Sequence, residues 1–367
     1  MSDTYRRYHA IQTTLMQLFG QPTGHKARHV QTLAALTCGI LGSQHVHTPR
    51  IAAHTPGFGA KEESLITRFR NWMQRETVSW ETCFLPMARA VLAALADQAI
   101  VLAIDGSTVG RGCVTLMISV IYRGRALPLA WTVVTGTKGH FPETAHVALL
   151  AQVQALIPTG TTVIVVGDGE FDGTDLQAAI TQAGWQYVCR TTWNTLVWVE
   201  GDPISFRDLL VAPGGCYGIP DVQITAERYG PVQVILVWDA DQETPLPLVT
   251  NLEVADEAVA WYRLRAHIET FFSDQKSRGF HLDRSHVSDP ARLARLMLAD
   301  CLAYLWIVYL GVIAQRDDWV VVIHRTTRCD LSLFQLGYRL LAHLLKEGLP
   351  LPDAINFRIL AKERQRE

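Results

Sequence analysis

Apolar residues recur every three or four positions in His9–Phe19, Val30–Leu41, Leu65–Trp72 and Phe84–Leu95, the spacing that lines one face of an α-helix. Stretches bearing Gly and Pro, near Gly20–Gly24 and Thr55–Gly59, separate these helices. At Ile100 the period changes. Ile100–Ile104, Val114–Tyr122 and Leu127–Val134 are short runs of Val, Ile and Leu joined by the turns Gly110-Arg-Gly112 and Arg123-Gly124-Arg125, which predicts a three-stranded antiparallel meander. A helix over Glu143–Leu156, a strand over Val163–Val166, a helix over Asp175–Ala183 and a strand over Tyr187–Arg190 follow.

The order βββαβαβ is that of an RNase H-like core, an α/β mixed sheet flanked by helices. Residues 194–252 lack any helical period and are rich in strand formers, Gly and Pro, so they read as a β-rich insertion. Helix returns at Ala255–Gly279, and a second helix begins at Ala291. The expected organisation is a helical DNA-binding domain (1–95), a first part of the core (96–193), the insertion (194–252), a second part of the core (253–315) and a helical C-terminal region (316–367). The charged end, 362–367, is expected to fray.

Composition changes this picture in three places. Hydrophobic residues at 49% and charged residues at 19% suit a chain with a large core rather than a disordered one. The net charge of -2 argues against coating nucleic acid by bulk positive charge, but residues 1–95 hold ten Lys and Arg against five acids, a local +5. Leu296–Ala314 is as apolar and as long as a membrane span; Asp300 within it favours a buried core helix. The seven cysteines are scattered, odd in number and without a C-x2-C pair, so neither a disulfide framework nor a zinc ribbon is indicated. With no basic-then-apolar leader pattern, a cytoplasmic, nucleoid-associated location is expected.

The chemistry-bearing residues are carboxylates. Asp105 follows the apolar run Val101–Ile104 and Asp168 follows Val163–Gly167, so each is expected where a buried strand ends, the position at which open sheets gather ligands. Alone, each acid reads equally as a turn or capping residue before glycine. Two such acids side by side repel, and a hard cation between them relieves the repulsion. In the helix that follows, Tyr262, Arg265, Glu269 and Lys276 are offset so that, at about 100° per residue, they fall within one wedge of about 60°. Leu264, Ile268 and Phe271 form a separate apolar stripe for the core. An acid flanked by two cations and a phenol suits phosphodiester chemistry, although an ordinary solvated face is also charged.

These residues resemble the DDE transposases of bacterial insertion sequences, in the group marked by Y-x2-R-x3-E-x6-K. Tyr262, Arg265, Glu269 and Lys276 match every spacing, Asp105 in IDGST and Asp168 in VVGDGEF supply the earlier acids, and Leu127–Trp131 and Lys138-Gly-His140 are similar too. The resemblance implies metal-dependent DNA cleavage at element ends and strand transfer into target DNA, with Asp105, Asp168 and Glu269 as catalytic metal ligands. Asp105 would bridge two Mg2+ ions, for which Mn2+ can substitute, while Asp168 holds one and Glu269 the other. Tyr262, Arg265, Lys276, Trp193 and His140 would contact DNA, Trp193 or Trp198 being placed to meet a flipped base. The implied partners are double-stranded terminal repeats and target DNA, the protein acting as a homodimer in that complex and not at a membrane.

Other readings are open. IDGST also resembles the phosphate-binding turn of an actin-like ATPase or kinase, but that leaves the aligned helix unexplained. A catalytically silent, transposase-derived DNA-binding protein is a further alternative. His45-x-His47 and His25-x3-His29 lack acid or Cys partners at ligand spacing and read as surface or DNA-facing histidines rather than zinc ligands. Glu170 and Asp172 are candidates to support Asp168, and His140 and His267 to approach the scissile phosphate.

Overall fold

The structure, a computed structural model, describes all residues except Lys138, His140, 325–328 and 362–367, and the side chain of Ala361. The helical N-terminal region comprises α1 (Asp3–Leu18), α2 (Gly24–Ser43), α3 (Thr48–Ala53), α4 (Glu62–Gln74), α5 (Trp80–Cys83) and α6 (Leu85–Leu95). Ser2 caps α1 by accepting the Tyr5 N–H, and Ser79 and Thr82 form a reciprocal capping box on α5. Helix α1 packs Tyr8, Ile11 and Leu15 onto α2, whose whole middle, Leu33–Leu41, is buried.

The expected meander is β1 (Ile100–Val109), β2 (Cys113–Tyr122) and β3 (Arg125–Thr135). Then come α7 (Glu143–Gln154), β4 (Val163–Gly167), α8 (Thr174–Gln182) and β5 (Gln186–Arg190). Strands β4 and β5 run parallel to β1, while β2 is antiparallel to both of its neighbours, β1 and β3. Their near-continuous apolar sequence follows from burial on both faces. The strand-rich stretch supplies β6 (Leu196–Val199), β7 (Asp202–Ser205), β8 (Cys216–Ile224), β9 (Tyr229–Val237) and β10 (Leu246–Thr250). These strands continue the same hydrogen-bonded sheet beyond β5, giving ten mixed strands in the order β3-β2-β1-β4-β5-β10-β9-β8-β6-β7.

After the sheet come α9 (Ala255–Arg263), α10 (Ala266–Gln275), α11 (Pro290–Arg316), α12 (Val320–Ile323), α13 (Leu333–Lys346) and α14 (Arg358–Ala361). The single helix expected over Ala255–Gly279 is thus two. Around Leu264 and Arg265 the backbone bonds tighten to i→i−3, with Leu264 N–H on Trp261, Arg265 on Tyr262, His267 on Leu264 and Ile268 on Arg265. The cause lies in what each half covers: α9 packs on β4, β5, β8 and β9, and α10 on β1, β2 and β3. A single straight axis cannot follow both halves of a twisted sheet.

Helix α11 is long and apolar enough to cross a membrane, yet its most apolar stretch is entirely buried inside the protein. It packs against α13, α2 and β3. Gly311 and Gly337 make the approach to α13 possible, since a Cβ on either would lie about 2 Å from a backbone oxygen of the opposite side, that of Leu333 or Ile307. Asp300, fully buried in α11, accepts a 2.5 Å hydrogen bond from Gln275 Nε2, and burial pushes its carboxyl well above the ordinary range.

A candidate active site beside the ends of the parallel strands

Register places the two aspartates together. Ile104 on β1 pairs with Gly167 on β4, so the next residues, Asp105 and Asp168, stand at the same level on neighbouring strands. Asp168 is at a strand end, as expected. Asp105 is not: β1 continues past it to Val109, paired with β2 alone, and Asp105 sits mid-strand where β4 stops beside it. The IDGST segment is therefore extended strand and not a turn. Asp105 is 1% exposed, with Oδ1 accepting the Gly106 N–H at 2.7 Å. Asp168 Oδ1 accepts the Glu170 N–H at 3.0 Å, which fixes the loop leaving β4.

Arg265, at the tightened turn between α9 and α10, joins this pair to the third acid. Its Nη1 lies 3.4 Å from Asp105 Oδ2, and its Nη2 lies 2.5 Å from Glu269 Oε1. The side chain of Glu269 is 58% exposed, so its link to Arg265 is a surface i,i+4 pair worth about 0.3–0.5 kcal/mol. That is weak enough for Glu269 to exchange partners. Tyr262, at the end of α9, is buried; burial raises its phenol pKa, against the pull of Arg265 and Arg190, and Asp168 also acts on it. The hydroxyl stays protonated at neutral pH and can donate a hydrogen bond.

Lys276 lies just past the end of α10, where it caps the helix rather than lying on the expected continuous face. Its Nζ donates to Ser107 Oγ at 2.6 Å, two residues along β1 from Asp105. Arg265 and Lys276 thus both reach β1, by a route other than a single helical wheel.

Two neighbours escaped the sequence reading. Arg190 ends β5 and is exposed; because Gly167 pairs with Cys189, Arg190 stands level with Asp168, completing a row Asp105–Asp168–Arg190 across three parallel strands. Only its strand-end position, shared with Asp168, marked it. His146 of α7 is buried against the Phe171 ring, with Nε2 lacking a hydrogen-bond partner among the described residues. Burial lowers its pKa, and the charge of Asp168 opposes that shift.

The other sequence candidates fall as follows. Trp193 lies in the β5–β6 connection, at the same end of the sheet, partly buried against the core. Trp198 on β6 is engaged elsewhere, its Nε1 donating to the Thr225 carbonyl at 2.7 Å and its ring stacked 3.9 Å from the Arg228 guanidinium. Asp172 accepts a 2.6 Å hydrogen bond from Thr191, and burial raises its pKa. His267 is half-buried by the β2–β3 turn, near Gly124 and Arg125. His45 is not a surface residue as expected: it is buried, stacked on His281, because the loop after α10 closes over it. His140 and Lys138 lie outside the described residues.

The donor set suits a hard divalent cation. Asp105 and Asp168 present carboxylates at one level, and the Arg265 guanidinium stands between Asp105 and Glu269 as a positive charge would. Among the described residues, no three of His, Cys, Asp and Glu are gathered tightly enough to hold one ion. The pair Asp105–Asp168 is in place, and Glu269 is held off by Arg265.

Residues 97–306 match the transposase DDE domain family. That match covers more than half of the chain, which therefore belongs to the DDE transposases, a family that normally uses divalent metal ions. No curated protein matches it in sequence. Among solved structures, a piggyBac transposase in a synaptic complex with hairpin DNA is similar at 12% identity and a TM-score of 0.48, over 95% of this chain and 81% of that one.

Proposed function

We propose that this DDE transposase is encoded by a bacterial insertion sequence of the Y-x2-R-x3-E-x6-K group, and that it cleaves double-stranded DNA at element ends and joins those ends to target DNA. The observation that carries the reading is the register that sets Asp105 beside Asp168, with Arg265 linking Asp105 to Glu269. In this reading β1–β5 and the helices on them are an RNase H-like core, β6–β10 are its insertion, and residues 1–95 recognise terminal repeats in a dimeric complex in the bacterial cytoplasm.

Asp105 and Asp168 would hold magnesium, or manganese in its place, with Glu269 as the third carboxylate once it parts from Arg265. A pair of such ions supplies Lewis-acid stabilisation of the charge that builds on an attacked phosphodiester. Arg265, released in the same exchange, is free to take a phosphate oxygen through its planar fork. Lys276 places a second positive charge beside β1, and Tyr262 donates its protonated hydroxyl to another phosphate oxygen. Trp193, emerging from the same sheet end, offers a ring for an unstacked base. Water attack leaves a 3′-hydroxyl on the element end, and that hydroxyl attacks the target phosphodiester in turn. One site thus serves both steps, and no covalent link to the protein forms.

The test is Asp105→Asn, assayed on the DNA that brackets the gene with magnesium present. Strand cleavage is expected to vanish while duplex binding persists. Cleavage at the wild-type rate would remove Asp105 from the site.

A further inference from the structure

A cleft of 680 Å³ lies far along the chain from the acids, between α2 and α4. Arg28, Arg68, Arg75, His25 and His29 line it, with no carboxylate among its described lining residues, and His25, His29 and Arg75 also border an adjoining cleft that Glu81 lines. Arg68 is fixed across the cleft by donating to Thr32 Oγ1 at 2.9 and 3.1 Å. Arg28 and Arg75 are exposed and have no side-chain partner among the described residues. Trp72, also in the lining, is 3% exposed, and its Nε1–H is buried without a hydrogen-bond partner among the described residues.

A second cleft, of 420 Å³, opens on the other side of the same helix. Arg70, His47, His286 and Arg292 line it, again with no carboxylate, and Arg292 Nε is likewise buried without a partner among the described residues. Helix α4 turns Leu65, Phe69, Trp72 and Met73 into the core. Arg68, Asn71 and Arg75 face one cleft and Arg70 and Gln74 the other. The acids of this helix, Glu62 and Glu63, occupy its first turn, outside both linings.

We propose that α4 and its two flanking clefts form a seat for the sugar-phosphate backbone of duplex DNA, with the α2–α4 cleft as its centre. The proposal rests on the reading of this chain as a DNA-cutting transposase and assigns where the uncut duplex is gripped. Repelling cations gathered without acids cost folding energy that only an anion returns. From Ser64 to Arg75 the helix rises about 16 Å, several times the spacing of successive phosphates on a strand, so a lone phosphate would use only a fraction of the tract. His29 adds little charge near neutral pH: burial lowers its pKa, and Arg75, His25 and Arg28 lower it further. The arginines therefore carry the contact.

The test measures binding of a fluorescein-labelled mixed-sequence DNA duplex to the full chain by anisotropy across a KCl series. R28A/R75A is compared with wild type and with the charge-matched control K346A/R358A, all exposed positions. R28A/R75A is expected to bind about tenfold more weakly or worse, with a log–log salt slope shallower by about two, one per lost phosphate contact; the control should bind as wild type. Superimposable curves for R28A/R75A and wild type would overturn the seat, as would an equal loss in the control. Inorganic phosphate that displaces the duplex at constant ionic strength would also overturn it, by making the cleft a small-anion site. If R28A/R75A binds normally while D105N still abolishes cleavage, the seat falls and the catalytic reading stands. Wild type without salt-sensitive duplex binding would overturn both.

Discussion

Asp105 and Asp168 stand level one strand spacing apart, and their charges have an energetic consequence that can be measured without DNA. At about 4.8 Å and an effective dielectric of about 20, two unit negative charges repel by about 3.5 kcal/mol. Arg265, 3.4 Å from Asp105 Oδ2, cancels part of this, leaving about 1–2 kcal/mol. Asp168→Asn removes one charge but keeps an oxygen to accept the Glu170 N–H. In EDTA the variant should therefore melt higher than wild type, by about 2–4 °C. Magnesium at ten times its dissociation constant should stabilise wild type by about 1.4 kcal/mol and the variant hardly at all, so the gap closes or reverses. Differential scanning fluorimetry with and without magnesium reads both effects. Identical melting of the two proteins in EDTA, together with identical magnesium responses, would refute the opposed-carboxylate account.

Glu269→Gln keeps the hydrogen bond to Arg265 but not the charge, so cleavage should fall at least a hundredfold, about 2.7 kcal/mol in the barrier, while anisotropy shows unchanged duplex affinity. Arg190→Ala should slow cleavage about tenfold or more by removing a cation level with Asp168, with little change in melting temperature because the side chain is exposed; a wild-type single-turnover rate would exclude it from the site. Asp274, paired with Arg125 at 3.0 Å, has its carboxyl pushed up to about 6 by burial, against the pull of Arg125 and Arg278. Its folded pKa exceeds the unfolded value of about 3.9, so the native state holds the extra proton between these values and loses stability as pH rises through that window, by about 3 kcal/mol. In urea titrations, wild type minus Asp274→Asn should show this fall from about pH 4 to about pH 6, and a flat difference would mean that Asp274 ionises normally.

The sequence by itself determined most of the elements and which residues were candidates for the site. Runs such as Val163–Val166 are legible because strands covered on both faces must be apolar throughout, and the helical period of α4 is set by the single face it turns to the core. Asp105, Asp168, Arg265 and Glu269 stood out as candidates by type and spacing, although an acid at the end of an apolar run serves equally as a turn or capping residue. Tertiary structure decided which of them meet. The break at Leu264 and Arg265 falls in residues that favour helix, so no local signal marks it; it arises because α9 and α10 must cover two differently twisted halves of one sheet. The adjacency of Arg190 to Asp168 depends on the pairing of β4 with β5, the bond from Lys276 to Ser107 joins residues far apart in the chain, and the burial of His45 depends on a loop that returns after α10. Local pattern records which surfaces a segment must hide, whereas register and packing, which choose the neighbours, depend on the whole chain at once.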